Sequence, residues 1–271
     1  MTEIETKRAR LQEIIEVMDS VVVAYSGGVD SSYLLAVSMD ILGADRVLAV
    51  TADSPTYPAS EREEAAVLAR NLGIRQMVIH TDELADENFS ANPPDRCFFC
   101  KTHLFTALGN VALQQGLSAL VYGATLDDLG DHRPGMQAAK ELGARAPLIE
   151  AGLTKDDIRQ LSRERGLPTW DKPAMACLAS RFPYHAPITQ KALSRVEMGE
   201  EYLRREIGLR QVRLRHHDTI ARLEVDIADM SRVIEQRAQV VTYLRHLGYA
   251  YVTLDLEGFR SGSMNETLLL T

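Results

Sequence analysis

Apolar and charged residues alternate with helical spacing over residues 5–18, which predicts an amphipathic N-terminal helix. The pattern then changes. Val21-Val22-Val23-Ala24-Tyr25 is a short apolar run rich in β-branched residues, with the length and composition of a buried strand. It leads into Ser26-Gly27-Gly28-Val29-Asp30-Ser31-Ser32 and an apolar, helix-like stretch over 33–42. A second strand is predicted at 47–51, a helix at 60–72 with Gly73 at its C-cap, and a third strand at 76–80. Residues 81–95 have no clear period. Helix follows at 101–115, strand at 119–122, and helix again from Pro134, since proline suits a first helical turn. Leu148-Ile149 reads as a short strand, and 154–165 as a helix capped by Thr154 with Asp157 three residues on.

Strands alternating with helices imply βαβ units. The predicted class is α/β, a parallel doubly wound sheet with helices on both faces. The rhythm breaks over 166–187, a segment with four prolines that reads as interdomain. Beyond it come a long amphipathic helix at 189–207, a hairpin from 211–216 and 220–225, helix over 229–247 and strand over 249–254. The predicted organisation is a nucleotide-binding domain at 1–168 and a smaller α+β domain at 169–271. Neither an internal repeat nor a low-complexity tract is present.

Composition narrows the function. The 271 residues include 30 Lys+Arg and 38 Asp+Glu, a net charge of −8, which argues against a protein that coats nucleic acid. No window approaches the roughly 18 consecutive apolar residues of a membrane span. Residues 1–19 lack the apolar core of a secretory signal, so the expected compartment is the cytoplasm. In that compartment three cysteines are not a disulfide framework.

The glycine loop carries the first chemical signal. Gly27 and Gly28 let backbone N–H groups approach an anion, and the following helix directs its N-terminal dipole at the same point. Ser26, Ser31 and Ser32 add hydroxyls. No lysine follows, so it is not a Walker A loop, and the spacing is not G-x-G-x-x-G. The loop resembles the SGGxDS pyrophosphate loop of the N-type ATP pyrophosphatases, which split ATP between its α- and β-phosphates. Ala52-Asp53-Ser54 and Gly123-Ala124-Thr125 follow strands, where doubly wound sheets bind ligands. Asp127-Asp128 and Asp131-His132-Arg133-Pro134-Gly135 come next and read alone as a solvated acidic loop ending in a helix cap.

The cysteines form a Cys97-x-x-Cys100 pair and a distant Cys177, in segments that read as irregular and Pro-bearing. A redox pair, part of a zinc site, buried thiols, or an iron–sulfur cluster on three thiolates with one open iron all match that count. In the hairpin Arg213, Arg215 and His217 share one face of the first strand, with Arg222 and Glu224 on the same side of its partner. This face is expected to present guanidinium groups to a small anionic substrate while Val212 and Leu214 pack. Residues 258–265, Gly-Phe-Arg-Ser-Gly-Ser-Met-Asn, form a glycine-bracketed loop around Arg260.

Together, residues 26–32, 123–125, 130–135, Cys177-Leu178-Ala179-Ser180-Arg181, the Arg213/Arg215 strand and the 258–265 loop resemble the LarE family over nearly the whole chain. These are ATP-dependent sulfur transferases that help make a nickel-pincer nucleotide cofactor. The resemblance implies that pyridinium-3,5-biscarboxylic acid mononucleotide is adenylylated and converted to a thiocarboxylate. It implies that Ala24, Ser26, Gly27, Gly28, Asp30, Ser31, Ser32, Gly123 and Arg133 bind ATP, with Mg²⁺ on the phosphates. Ser180, Arg181, Arg213, Arg215 and Arg260, with Glu200 or Glu201, would handle the substrate. In the single-cysteine form, the residue at the Cys177 position gives up its own sulfur. Cys97 and Cys100 depart from that form and are similar to a three-cysteine subgroup. There the three residues hold a [4Fe–4S] cluster carrying sulfide, supplied by a donor protein or as free sulfide. A homohexamer is implied as well. A tRNA thiolase is the alternative, but no basic RNA-binding region offsets the charge of −8. An ammonia-using synthetase would not need the cysteines, and a non-catalytic nucleotide-binding module would release no pyrophosphate.

Overall fold

A computed structural model describes residues 2–130, 134–173, 176–260, 262–263 and 265–266. The chain divides into two compact units, Met1–Glu83 with Asp95–Met175, and Leu84–Pro94 with Ala176–Thr271.

The first unit begins with α1 (Glu3–Glu16), fixed by a capping box in which Thr2 and Glu5 exchange hydrogen bonds. β1 (Val21–Ala24), α2 (Val29–Leu42), β2 (Val47–Asp53), α3 (Ala59–Asn71) and β3 (Arg75–His80) follow. The four-residue α4 (Glu87–Ser90) belongs to the second unit. The first unit resumes with α5 (Arg96–Gln115), β4 (Ala119–Tyr122), α6 (Pro134–Glu141), α7 (Pro147–Glu150) and α8 (Lys155–Glu164). Its sheet is parallel throughout, in the order β3-β2-β1-β4. Side chains alternate across β1. Val21 and Val23 pack with α1, α2 and α8 on one face, and Val22 packs with Phe105 and Leu108 of α5 on the other. The α/β, doubly wound class is therefore observed.

Four details differ from the sequence reading. Leu148 and Ile149 lie in α7, because Pro147 opens a helical turn and Leu148 turns into the core. Arg145 supplies the backbone bridge to Val121 instead. The 229–247 segment is two helices, α10 (Met230–Glu235) and α11 (Arg237–His246), since Gln236 leaves helical geometry at φ −96°, ψ 16°. Asp30, Ser31 and Ser32 lie in the first turn of α2. Cys97 and Cys100 lie in the first turn of α5, so their segment is helical from Arg96 on.

The second unit contains α9 (Gln190–Arg205) with Thr189 as its N-cap, the antiparallel pair β5 (Val212–His217) and β6 (Ile220–Val225), α10, α11 and β7 (Tyr251–Leu254). β7 joins parallel to β6, completing the order β5-β6-β7. The polar segment Leu84–Pro94 is tied into this unit by Asn92, whose side-chain amide donates to the carbonyls of Pro183 and Ala186 at 2.7 and 3.0 Å. Among the described residues no helix is long and apolar enough to cross a membrane.

Candidate nucleotide and substrate sites

In the first unit the chain passes from β3 back across β1 to β4, so the topological switch point lies at the carboxyl ends of β1 and β4. The loop after Ala24 occupies that point. Gly27 has φ +66°, and a Cβ there would lie 2.6 Å from the Ala65 Cβ, so only glycine fits. Gly28 is the N-cap of α2 and makes no side-chain cap bond, leaving the first-turn N–H groups without intrahelical partners. Ser31 organises the loop, since its hydroxyl contacts the Ser26 hydroxyl at 3.1 Å and donates to the Gly28 carbonyl at 3.3 Å. Ser26 is exposed, whereas the Ser32 side chain is fully buried. Gly123 closes on the loop from β4, where a Cβ would come within 2.7 Å of the Ser31 nitrogen. Asp128 caps its own turn by accepting from the Thr125 N–H at 2.9 Å. Arg133 lies outside the described residues.

Three groups at this loop had no sequence signal. The Tyr57 hydroxyl donates to the Ser26 carbonyl. Lys155 pairs with Asp30. The Lys172 Nζ sits 3.5 Å from the Gly27 carbonyl and bridges Glu61 and Glu64 at 2.7 and 2.8 Å. Burial opposes the Lys172 charge, but the two carboxylates outweigh it and raise its pKa. Each of these partners is distant in sequence, and only folding reveals them.

Asp30 fits a role toward Mg²⁺. Its Oδ1 is buried with no hydrogen-bond partner, and a hard carboxylate oxygen beside a phosphate loop is the donor type that Mg²⁺ takes. Burial raises the Asp30 pKa, with Lys155 opposing.

No disulfide joins the cysteines. Cys97 and Cys100 are three residues apart, on one face of α5; Cys97 is exposed and Cys100 half-buried. The Cys100 Sγ lies 4.0 Å from Glu83, a buried carboxylate that also accepts from Ser54 and from Thr56, the latter at 2.7 Å. Cys177 belongs to the second unit and precedes the 3₁₀ turn Leu178–Arg181. Three thiolates match an iron–sulfur cluster in donor chemistry. Among the described residues, however, no group of three or more His, Cys, Asp or Glu side chains is arranged to hold a metal ion.

The second unit holds the arginines. Arg181 is fully buried, and its Nε and Nη2 donate to the two oxygens of Glu200 at 2.8 and 2.9 Å. Its Nη1 reaches the carbonyls of Ala176 and Cys177 at 2.7 and 3.1 Å and the Ser180 hydroxyl at 2.9 Å. Arg181 thereby fixes the backbone around Cys177. Glu200 also accepts from Arg204 and from the Leu214 N–H. Burial alone would raise its pKa; Arg181 above all, with Arg204 and Arg213, outweighs burial and holds it at about 2. Glu201 is on the surface, in a 2.9 Å pair with Arg205.

The guanidinium face of the hairpin is not open to solvent as expected, because Arg213 and Arg215 are each only 4% exposed. Strand alternation placed both on one face but could not show that this face is covered. Arg215 donates to the Ser180 carbonyl, Glu224 and Ser263. Arg213 lies over the Phe259 ring, and burial together with Arg181, Arg204 and Arg215 lowers its pKa. Arg260 pairs with Glu257 and Glu266 at 2.9 and 3.1 Å. Within the 258–265 loop, Ser261 and Met264 lie outside the described residues.

A parallel sheet with a glycine loop at its switch point defines a nucleotide-binding α/β protein of the PP-loop ATP pyrophosphatase class, and the chain is an ATP-dependent enzyme of that class. A family profile described as NAD synthase matches residues 5–98. The chain is 39% identical over 268 residues to the pyridinium-3,5-bisthiocarboxylic acid mononucleotide synthase of Lactiplantibacillus plantarum, covering 99% of this chain and 97% of that protein. It is 43% identical to an uncharacterized protein of Synechocystis sp., covering 98% and 99%. A tRNA-specific 2-thiouridylase of Desulforamulus reducens is 29% identical over 56% of this chain and 52% of its own. The chain belongs to the LarE family.

Proposed function

We propose that the protein is an ATP-dependent sulfur transferase acting on pyridinium-3,5-biscarboxylic acid mononucleotide. The observation that carries this reading is the 39% identity, over 99% of the chain, to the synthase named for the corresponding bisthiocarboxylic acid. The phosphate loop and the buried arginines support it. A substrate carboxylate oxygen attacks the ATP α-phosphorus, the bond to the β-phosphate oxygen breaks, and pyrophosphate leaves. The glycine loop binds the leaving pyrophosphate through its backbone N–H groups, and Asp30 would hold Mg²⁺, which would supply charge neutralisation there. A sulfur nucleophile then attacks the activated carbonyl carbon, the bond to AMP breaks, and a thiocarboxylate remains. Arg213, Arg215 and Arg260 hold the anionic body of the substrate. Glu200 acts by positioning Arg181, since a carboxylate accepting four hydrogen bonds and held at about 2 is a poor proton acceptor. Glu201, the next residue of α9, faces the surface instead, and its pair with Arg205 assigns it no separate step.

Cys97, Cys100 and Cys177 would be the thiolates that hold a [4Fe–4S] cluster, whose open iron is a position for sulfide. A second reading rests on the resemblance of residues 177–181 to the single-cysteine form and on Arg181, which holds the carbonyls of Ala176 and Cys177. In it the Cys177 thiolate attacks the adenylate's carbonyl carbon, AMP leaves and a thioester forms; the Cys177 Cβ–S bond then breaks with loss of the Cα proton to a base, leaving dehydroalanine and a thiocarboxylate. The protein then loses about 34 Da per turnover. The reaction takes place in the cytoplasm, on a homohexamer, with sulfide from a donor protein or from solution. Pyrophosphate release tests the activity: the biscarboxylate mononucleotide stimulates it and tRNA does not, whereas stimulation by tRNA alone overturns the assignment.

A further inference from the structure

Residues 165–173 form neither helix nor strand, yet they bring Lys172 to the phosphate loop. Turn hydrogen bonds join Trp170 to Leu167 and Lys172 to Thr169 within the segment, so side chains tie residues 170–172 to the rest of the first unit. Helix α8 supplies them. Lys155, Arg159 and Arg163 recur every four residues along one face of that helix. Lys155 pairs with Asp30, and the Arg163 guanidinium lies over the Trp170 ring at 5.0 Å. Between them Arg159 donates through Nη1 to the Trp170 carbonyl and through Nη2 to the Lys172 carbonyl, each at 2.9 Å.

The other end of this chain of contacts is helix α3. The Lys172 Nζ, on a side chain only 14% exposed, bridges Glu61 and Glu64 beside the Gly27 carbonyl. Ala65, next to Glu64, is the residue against which Gly27 packs. Arg159 thus grips the backbone of the residue whose side chain neutralises two carboxylates next to the loop. A guanidinium has the planar fork to span two carbonyls, and an ammonium does not. The Arg159 charge also reaches Asp30, a purely electrostatic route to the same loop that needs no fork.

We propose that Arg159 is a positioning residue of the nucleotide site: its fork on the carbonyls of residues 170 and 172 holds Lys172 against Glu61 and Glu64, and so sets the affinity of the phosphate loop for the pyrophosphate part of ATP. This rests on the phosphate-loop reading above. With the fork intact, Lys172 offsets the charge of the buried Glu61. Without it, Lys172 exchanges the two carboxylates for water, and their negative charge opposes the β- and γ-phosphates. AMP lacks those phosphates and is indifferent to the change.

The test uses calorimetry on the full chain with ATP, inorganic pyrophosphate and AMP as probes, each with Mg²⁺. Arg159→Ala weakens binding of ATP and pyrophosphate about fivefold and leaves AMP unchanged, as expected for the loss of hydrogen bonds from a charged group. Arg159→Lys, which keeps the charge but not the fork, is equally weak. In a Lys172→Met background Arg159→Ala costs nothing further, because the residue it positions is gone. A readout without any nucleotide accompanies these: limited acetylation followed by mass spectrometry, with the exposed Lys191 as internal reference. Lys172 reacts more slowly than Lys191 in the wild type and as fast as Lys191 in both Arg159 variants. Full ATP affinity in Arg159→Ala, rescue by Arg159→Lys, an equal loss for AMP, an additive loss in the Lys172→Met background, or unchanged Lys172 acetylation overturns the proposal. If the wild type binds neither ATP nor pyrophosphate, the phosphate-loop reading fails, and Lys172 acetylation alone still decides whether Arg159 positions it.

Discussion

Arg181 and Glu200 form a two-pronged ion pair from which solvent is excluded, with nitrogen–oxygen distances of 2.8 and 2.9 Å and both side chains at 0% exposure. The remaining donors of Arg181 go to Ser180 and to the backbone at 176 and 177, so the pair ties helix α9 to the turn that carries Cys177. Removing one partner of such a pair leaves a buried charge and costs about 3–5 kcal/mol. Glu200→Ala is expected to lose that much stability in denaturant unfolding and to lose sulfur transfer with it.

The same pair sets an acid limit. Glu200 is held at about 2 against an ordinary 4.5, so the folded state binds its proton less tightly than the unfolded chain. Its contribution, about 3 kcal/mol, is complete above pH 4.5 and falls away as the pH drops toward 2. Stability measured from pH 6 to 3 is expected to decline, and Glu200→Gln, already weaker at pH 6, to decline less steeply. Parallel curves would assign the acid sensitivity elsewhere.

Gly27 of the phosphate loop and Gly123 beside it have no room for a methyl group. Gly27→Ala combines a positive φ with a 2.6 Å clash against Ala65, and Gly123→Ala meets the Ser31 nitrogen at 2.7 Å. Each is expected to cost about 1–3 kcal/mol and to reduce ATP affinity at least tenfold. Normal ATP binding by Gly123→Ala, measured by calorimetry, would remove β4 from the nucleotide site.

Lys172 neutralises Glu61 and Glu64 beside the Gly27 carbonyl. Lys172→Met leaves the buried Glu61 unpaired near the ATP phosphates and is expected to weaken ATP binding about tenfold. Lys172→Met with Glu61→Gln is expected to recover part of the loss, because the repelling charge is gone. A double variant as weak as the single one would assign Lys172 a direct contact with the phosphates.

The cysteines separate the two sulfur sources. Anaerobic reconstitution is expected to give about four irons per chain, with Cys97→Ser, Cys100→Ser and Cys177→Ser each lowering the count. An iron-free wild type whose mass falls by about 34 Da after turnover assigns the sulfur to Cys177.

How much of this was legible follows from which signals are local. β1, its glycine loop and the Thr154–Asp157 cap were readable because strand composition, glycine spacing and capping pairs lie within a few residues of one another. The start of α5 was missed because Pro93 and Pro94 directly precede Asp95 and Arg96 and hide the first helical turn. Leu148 and Ile149 are too few residues for either period to show, so Pro147 decided their conformation. Strand alternation placed Arg213 and Arg215 on one face, but the cover and counter-charges of that face come from α9, β6 and Ser263. Lys172 finds Glu61 across more than a hundred residues of chain, beyond the reach of any local pattern.

The most direct measurement is mass spectrometry of the nucleotide after incubation with ATP, Mg²⁺ and pyridinium-3,5-biscarboxylic acid mononucleotide, with sulfide present. The predicted product is about 16 Da heavier for each oxygen replaced by sulfur, formed with equal amounts of AMP and pyrophosphate. AMP and pyrophosphate without any mass increase in the nucleotide, or thiolated tRNA in its place, would contradict sulfur transfer to the carboxylate.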